Sequence, residues 1–179
     1  MKRLSMGPVA VMAMLGLLTV LPTPISRAAS NTATTLFPVD EANQLETHTF
    51  LNCHSNGSCD FTAGVDLRTP DGVTGFPPSL WARQTTEIRP TNRVMYLDAH
   101  ATSQFERVMK EGGSDVITTV YFGEGPPDKY QTTGVIDATS WSTGQPMTNA
   151  NVIVCTHVQV VYTGVNLTSP STCAQTNFS

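Results

Sequence analysis

Few side chains in this sequence are equipped for chemistry. There are four cysteines, Cys53, Cys59, Cys155 and Cys173, and four histidines, His48, His54, His100 and His157. Asp98-Ala99-His100 would put a carboxylate and an imidazole on one face of an extended segment, a pairing that general acid–base catalysis can use. Asp98 and His100 are therefore the catalytic candidates, weighed against the plainer reading of a solvated strand end. No Gly-x-Ser-x-Gly or His-Glu-x-x-His accompanies them, and Ser114-Asp115 after Gly112-Gly113 reads as a turn into a strand rather than a nucleophile.

The cysteines and Cys-adjacent histidines admit two readings. Cys53, His54, Cys59 and His157 could be imagined as a metal set, but their spacing matches no usual zinc pattern and the compartment argued below is oxidising. Disulfides are the preferred reading, and three pairings are formally possible. Cys53 and Cys59 would face each other across a tight hairpin, near the roughly 5.5 to 6 Å Cα separation that a disulfide favours. That leaves Cys155 with Cys173. Glu124 with Asp128, and Asp66 with Asp71, lack calcium-loop spacing and read as solvated turn residues; no metal and no cofactor is expected. For ligand binding the residues to watch are Trp81 and Trp141, since a rigid aromatic plate with a polar edge serves carbohydrate and peptide grooves, with core packing as the alternative. Asn56-Gly57-Ser58, Asn166-Leu167-Thr168 and Asn177-Phe178-Ser179 match the N-glycan acceptor pattern, which would be idle in a bacterial exporter.

The elements that must position these residues read as strands. From Cys59 the odd positions Cys59, Phe61, Ala63, Val65 and Leu67 are apolar or small, and the even ones Asp60, Thr62, Gly64, Asp66 and Arg68 are polar or glycine, a period-2 alternation with one buried face. This arm pairs with Leu45 to Cys53 through a turn at Asn56-Gly57, a dipeptide that readily takes positive φ. Further strands are expected over Trp81–Arg89, Arg93–Asp98, Asp115–Phe122, Gln131–Ala138 and Asn151–Tyr162, the last in the sheet interior. Pro70-Asp71-Gly72 and Gly75-Phe76-Pro77-Pro78 punctuate them. The segment Ser103–Glu111 is the one helix candidate: Ser103 and Glu106 have capping-box spacing, Phe105, Val108 and Met109 share a helical face, and Gly112-Gly113 ends it. It is short enough that pairing could make it a strand instead. The expectation is an all-β fold, an antiparallel sandwich or small barrel with at most one short helix, stapled by disulfides.

The amino terminus decides the compartment. Lys2 and Arg3 precede an apolar run from Pro8 to Leu21, and Ser26-Arg27-Ala28 supplies small residues for cleavage after Ala28. Residues 1–28 therefore read as a signal peptide, too short in its apolar run to span a bilayer, with no cysteine before Cys53 for lipidation and no apolar carboxyl-terminal tail. Residues 29–44 read as a flexible lead-in and 45–179 as a single β domain. The chain carries 10 basic and 14 acidic side chains; loss of Lys2, Arg3 and Arg27 leaves 7 against 14, a balance of −7. Such a chain is a poor candidate for nucleic acid or anionic lipid, which need a basic patch. Charged residues make up only 13% of the sequence, so its surface must rely on Thr, Ser, Asn and Gln.

The domain resembles small secreted proteins of mycobacteria and related actinobacteria, through Phe50-Leu51-Asn52-Cys53-His54, Cys59-Asp60-Phe61 and the closing Val154-Cys155-Thr156-His157. That resemblance implies export and transfers no functional residue. The expected function is a secreted or cell-envelope-associated, non-catalytic binding protein whose partner is extracellular or in the envelope, with no membrane span after cleavage. The alternative is a secreted hydrolase using Asp98 and His100.

Overall fold

The hairpin that the alternation predicts is the frame of the molecule. In the computed structural model, which describes residues 29–92, 94–102, 106–111 and 114–178, Gln44–Cys53 and Ser58–Thr69 pair antiparallel with Leu45 opposite Leu67, Leu51 opposite Phe61 and Cys53 opposite Cys59. Gly57 at φ 89° closes the turn, a conformation that a side chain would strain. Asn56 Oδ1 accepts from the Ser58 N–H at 3.0 Å and from the Ser58 hydroxyl at 2.7 Å.

Around that hairpin the described residues form twelve strands in two sheets. They are β1 (Ala29–Pro38), β2 (Gln44–Cys53), β3 (Ser58–Thr69), β4 (Gly72–Thr74), β5 (Trp81–Pro90), β6 (Met95–Ala101), β7 (Glu106–Glu111), β8 (Ser114–Phe122), β9 (Gln131–Ser140), β10 (Asn151–Tyr162), β11 (Val165–Thr168) and β12 (Thr172–Asn177). One sheet runs β1-β2-β3-β9-β6 with β4 on the end of β3; the other runs β11-β10-β5-β8-β7 with β12 also on β10. Every pairing is antiparallel, and the inner faces of the two sheets pack as a sandwich. Both disulfides join directly opposed strand residues, Cys53 to Cys59 across β2–β3 and Cys155 to Cys173 across β10–β12.

Two expectations need correcting. Residues 29–44 are not a loose lead-in: β1 pairs with β2 over its whole length, from Ala29 opposite Cys53 to Pro38 opposite Gln44. An edge strand covers the core on one side only, so Ala33, Thr35 and Phe37 suffice on the inner side and no long apolar run is needed. Asp40 Oδ1 accepts from the Ala42 and Asn43 N–H groups at 2.8 Å each, building the turn into β2. The helix candidate is the second correction. Glu106–Glu111 is strand β7, paired from Glu106 opposite Thr119 to Glu111 opposite Ser114, because the free edge of β8 satisfies backbone groups that so short a helix leaves marginal. Its expected cap at Ser103–Phe105 and stop at Gly112–Gly113 lie outside the described residues, as does the expected signal peptide.

The core itself is split. One apolar cluster gathers Leu51, Phe61, Ile88, Leu97, Ile117, Ile136 and Val154; the other gathers Leu45, Val65, Leu80, Tyr121, Tyr130 and Val158. Strand by strand a buried polar residue lies between them: Thr47 and Thr49 on β2, Gln84 and Thr86 on β5, Thr119 on β8, Thr132 on β9 and Thr156 on β10. Gln84 Nε2 donates to the Ala63 carbonyl at 3.0 Å and to Thr132 Oγ1 at 3.2 Å, and Thr132 Oγ1 also meets Thr119 Oγ1 at 2.7 Å and the Tyr121 hydroxyl at 2.8 Å. Hydroxyls thus tie the two sheets together across the middle of the sandwich.

Candidate functional site

Asp98 and His100 do share a face of β6, as their spacing predicts, with His100 Nε2 3.5 Å from Asp98 Oδ2. That face is the outer surface at the edge of a sheet. The imidazole is 64% exposed, and its register neighbours on β9 are Val135 and, beside Asp98, Asp137. No hydroxyl or thiol nucleophile stands among those neighbours. His54 and Asp60 form a similar surface pair at 2.8 Å across the hairpin. The metal reading of Cys53, His54, Cys59 and His157 fails on chemistry: both cysteine sulfurs are joined in one disulfide, leaving no thiolate to ligate.

Asp66, expected as a solvated residue, is buried at 7% exposure. On the outer face of β2 and β3 it lies opposite Glu46, while Arg68 forms an ion pair with Glu46 and His48 Nδ1 sits 3.5 Å from Asp66 Oδ2. The His48 ring covers Gly64 so closely that a Cβ there would fall 2.5 Å from Nε2. Burial, reinforced by the Glu46 charge and opposed by Arg68, pushes the Asp66 carboxyl up to about 6. Burial also holds the His48 imidazole below its ordinary value, with Glu46 working against it. Asp66 Oδ1 has no hydrogen-bond partner among the described residues. This is a compact electrostatic cluster, and it is set into a sheet face rather than a cleft.

The two tryptophans part company. Trp81 begins β5 half-buried between Phe122 and Val161 of the neighbouring strands. Trp141 stands 56% exposed just beyond β9, its ring edge-on to Tyr96 with centroids 5.5 Å apart. Backbone bonds hold it there. The Trp141 N–H donates to the Val94 carbonyl at 3.2 Å, the Ser140 N–H to Gln145 at 2.9 Å and the Met147 N–H to Ala138 at 2.9 Å. The Ala138 N–H in turn donates to Gly57 at 2.8 Å, so the β2–β3 turn and the β9–β10 loop brace each other at one end of the sandwich.

The same end carries a cleft of about 310 Å³. Its lining comes from the β5–β6 loop (Thr91, Asn92), the β9–β10 loop running into β10 (Thr148 to Asn151) and the end of β12 (Asn177, Phe178). The Thr91 N–H donates to the Asn151 carbonyl at 3.0 Å and joins two of these segments. Asn92 Oδ1 accepts from the Val94 N–H at 3.4 Å, whereas the side-chain amides of Asn149, Asn151 and Asn177 have no hydrogen-bond partner among the described residues. Sequence reading singled out Trp141, and of these asparagines only Asn177, as part of an N-glycan acceptor pattern. They come from three separate segments of the chain, and only the fold brings them together.

No family model matches this chain, and no curated protein matches it. Among solved structures it is similar to the GAE domain of GGA2p from Saccharomyces cerevisiae, at 12% identity and a TM-score of 0.39, covering 82% of this chain and 100% of that one. It is also similar to a chain from a structure titled for pH-induced modulation of Streptococcus parasanguinis adhesion by Fap1 fimbriae, at 10% identity and a TM-score of 0.41, covering 84% of this chain and 94% of that one. At such values neither similarity transfers a ligand, a partner or a residue's role.

Proposed function

We propose that the chain is an exported, non-catalytic binding protein, acting outside the cell or against the cell envelope, that meets its partner through the loop end of the sandwich. The observation that carries this reading is Trp141: an indole left 56% exposed, yet fixed by the Tyr96 ring and by the backbone bond to Val94. Exposed rigid aromatics lose little entropy on binding and are enriched where proteins make contact. Export draws support from the two disulfides, which persist in oxidising compartments, from the leader pattern of Lys2, Arg3 and Ser26-Arg27-Ala28, and from the resemblance to small secreted actinobacterial proteins. No helix among the described residues is long and apolar enough to cross a membrane.

Co-sedimentation of the purified exported chain with a mycobacterial cell-wall preparation tests the envelope version. Retention that falls about fivefold or more in Trp141→Ala, with an unchanged melting temperature, is the expected outcome. A chain that stays wholly in the supernatant, or that is retained equally without the indole, overturns it. The hydrolase alternative has one observation in its favour, the 3.5 Å approach of His100 to Asp98. An esterase, glycosidase and peptidase screen in which His100→Ala changes nothing removes it.

A further inference from the structure

The cleft beside Trp141 has an unusual lining for an acidic chain. Among the described residues its polar side chains are four amides and two hydroxyls, from Asn92, Asn149, Asn151, Asn177, Thr91 and Thr148, and none of those described lining residues is charged. A primary amide presents a donor and an acceptor side by side, the complement of two neighbouring hydroxyl groups. Three of the four amides have no hydrogen-bond partner among the described residues, which leaves their bonding capacity for a ligand. An ionic ligand would find no counter-charge in this lining, and a purely apolar one would strand those amides without partners. The cleft volume of about 310 Å³ lies at the small end of the range for small-molecule sites. Its walls are fixed in advance by the Thr91–Asn151 backbone bond and by the brace between the Gly57 turn and the β9–β10 loop. Trp141 and Val94, 56% and 51% exposed, stand outside this lining on the same two loops, linked to it by the bonds from the Trp141 N–H to the Val94 carbonyl and from the Val94 N–H to Asn92 Oδ1. Amides to satisfy hydroxyls and an indole to stack on the apolar face of a ring are the two components that recognise a sugar.

We propose that the loop-end cleft formed by Asn92, Asn149, Asn151 and Asn177, with Trp141 beside it, is a binding site for a neutral saccharide. The proposal rests on the binding reading given above and names the ligand class of that same end. Recognition runs through neutral hydrogen bonds, so it is insensitive to ionic strength.

The test uses the exported chain on an array of immobilised gluco-, manno-, galacto- and arabino-oligosaccharides, beside uronic-acid oligosaccharides and basic peptides, at low and high salt. Retention on at least one neutral oligosaccharide, equal at both salt levels and lost by about tenfold or more in the Asn149→Ala/Asn177→Ala double variant, is expected. Both asparagines are exposed, so the variant keeps its melting temperature. Exclusive binding to the charged sugars or to the peptides, neutral-sugar binding that the double variant leaves intact, or no binding at all overturns the inference. A blank array together with Trp141-dependent retention on cell wall refutes the saccharide while the binding reading stands; a blank array with no cell-wall retention refutes both.

Discussion

A single carboxyl, Asp66, is where local reading and folded environment diverge most. In sequence it sits on the polar side of an alternating strand, and that placement is correct: it does face away from the sandwich core. What alternation cannot convey is that the outer face is itself covered there by His48, Glu46 and Arg68, side chains whose proximity depends on β2–β3 register. The consequence is a measurable pH dependence. With its folded value at about 6, above the ordinary carboxyl value of its unfolded state, Asp66 holds more protons in the folded chain, so its contribution to stability is fully present below pH 4 and is lost as pH rises through 6. His48 works the other way, since its folded value is lowered and its contribution grows as pH rises towards the ordinary imidazole value. Asp66→Asn isolates the first effect. Denaturant unfolding at pH 5 and pH 7 is expected to show the natural chain losing about 1 to 2 kcal/mol more than the variant on going to pH 7, a figure below the full shift because solvent still screens part of the cluster. Equal losses in the two proteins would remove Asp66 from the account.

Among the elements, those with a strong period-2 pattern were legible and those defined by their neighbours were not. Strands β3 and β10 carry their own apolar columns, so their existence and burial follow from sequence alone. Strand β7 exists because β8 offers an edge, and β1 because β2 does; neither fact is local. The cysteine pairing was legible because both bonds close short ladders of directly opposed residues. The two bonds should differ in weight. Cys155 and Cys173 are separated by 18 positions and Cys53 and Cys59 by 6, so replacing the former pair with alanine is expected to cost about 3 kcal/mol and the latter about 2, read from urea midpoints at constant slope. The reverse order would mean that the Gly57 turn, which the β9–β10 loop leans on, matters more than chain entropy does. The polar belt is testable in the same way. Thr132 Oγ1 meets Gln84, Thr119 and Tyr121 at once, so Thr132→Val removes three buried hydrogen bonds and is expected to destabilise by about 2 kcal/mol, where an isosteric change at an unbonded buried site would be nearly neutral.

For the molecule as a whole, the divided core raises the question of whether its two halves melt together. Two apolar clusters separated by hydroxyls could behave as two folding units, since local stability follows local packing. Connectivity argues against that outcome. Strands β2, β3, β5, β8 and β10 each contribute buried side chains to both clusters, so neither half can open without breaking ladders that the other half uses. The belt adds cross-sheet bonds at the seam: Gln84 reaches from β5 to the Ala63 carbonyl and Thr132 of the opposite sheet, and Thr119 of β8 also meets Thr132. The tryptophans are natural reporters, because Trp141 adjoins the end with Leu51 and Met147 while Trp81 follows Leu80 at the other. Trp81→Phe leaves the loop-end probe and Trp141→Phe leaves the opposite one. Thermal unfolding followed by fluorescence in these two variants is expected to give one coincident transition after correction for each variant's own stability. If the Trp141 signal changed well below the Trp81 signal, the loop end would be a separately ordered unit, and a binding site built on it would have to be organised by its ligand rather than held ready by the sandwich.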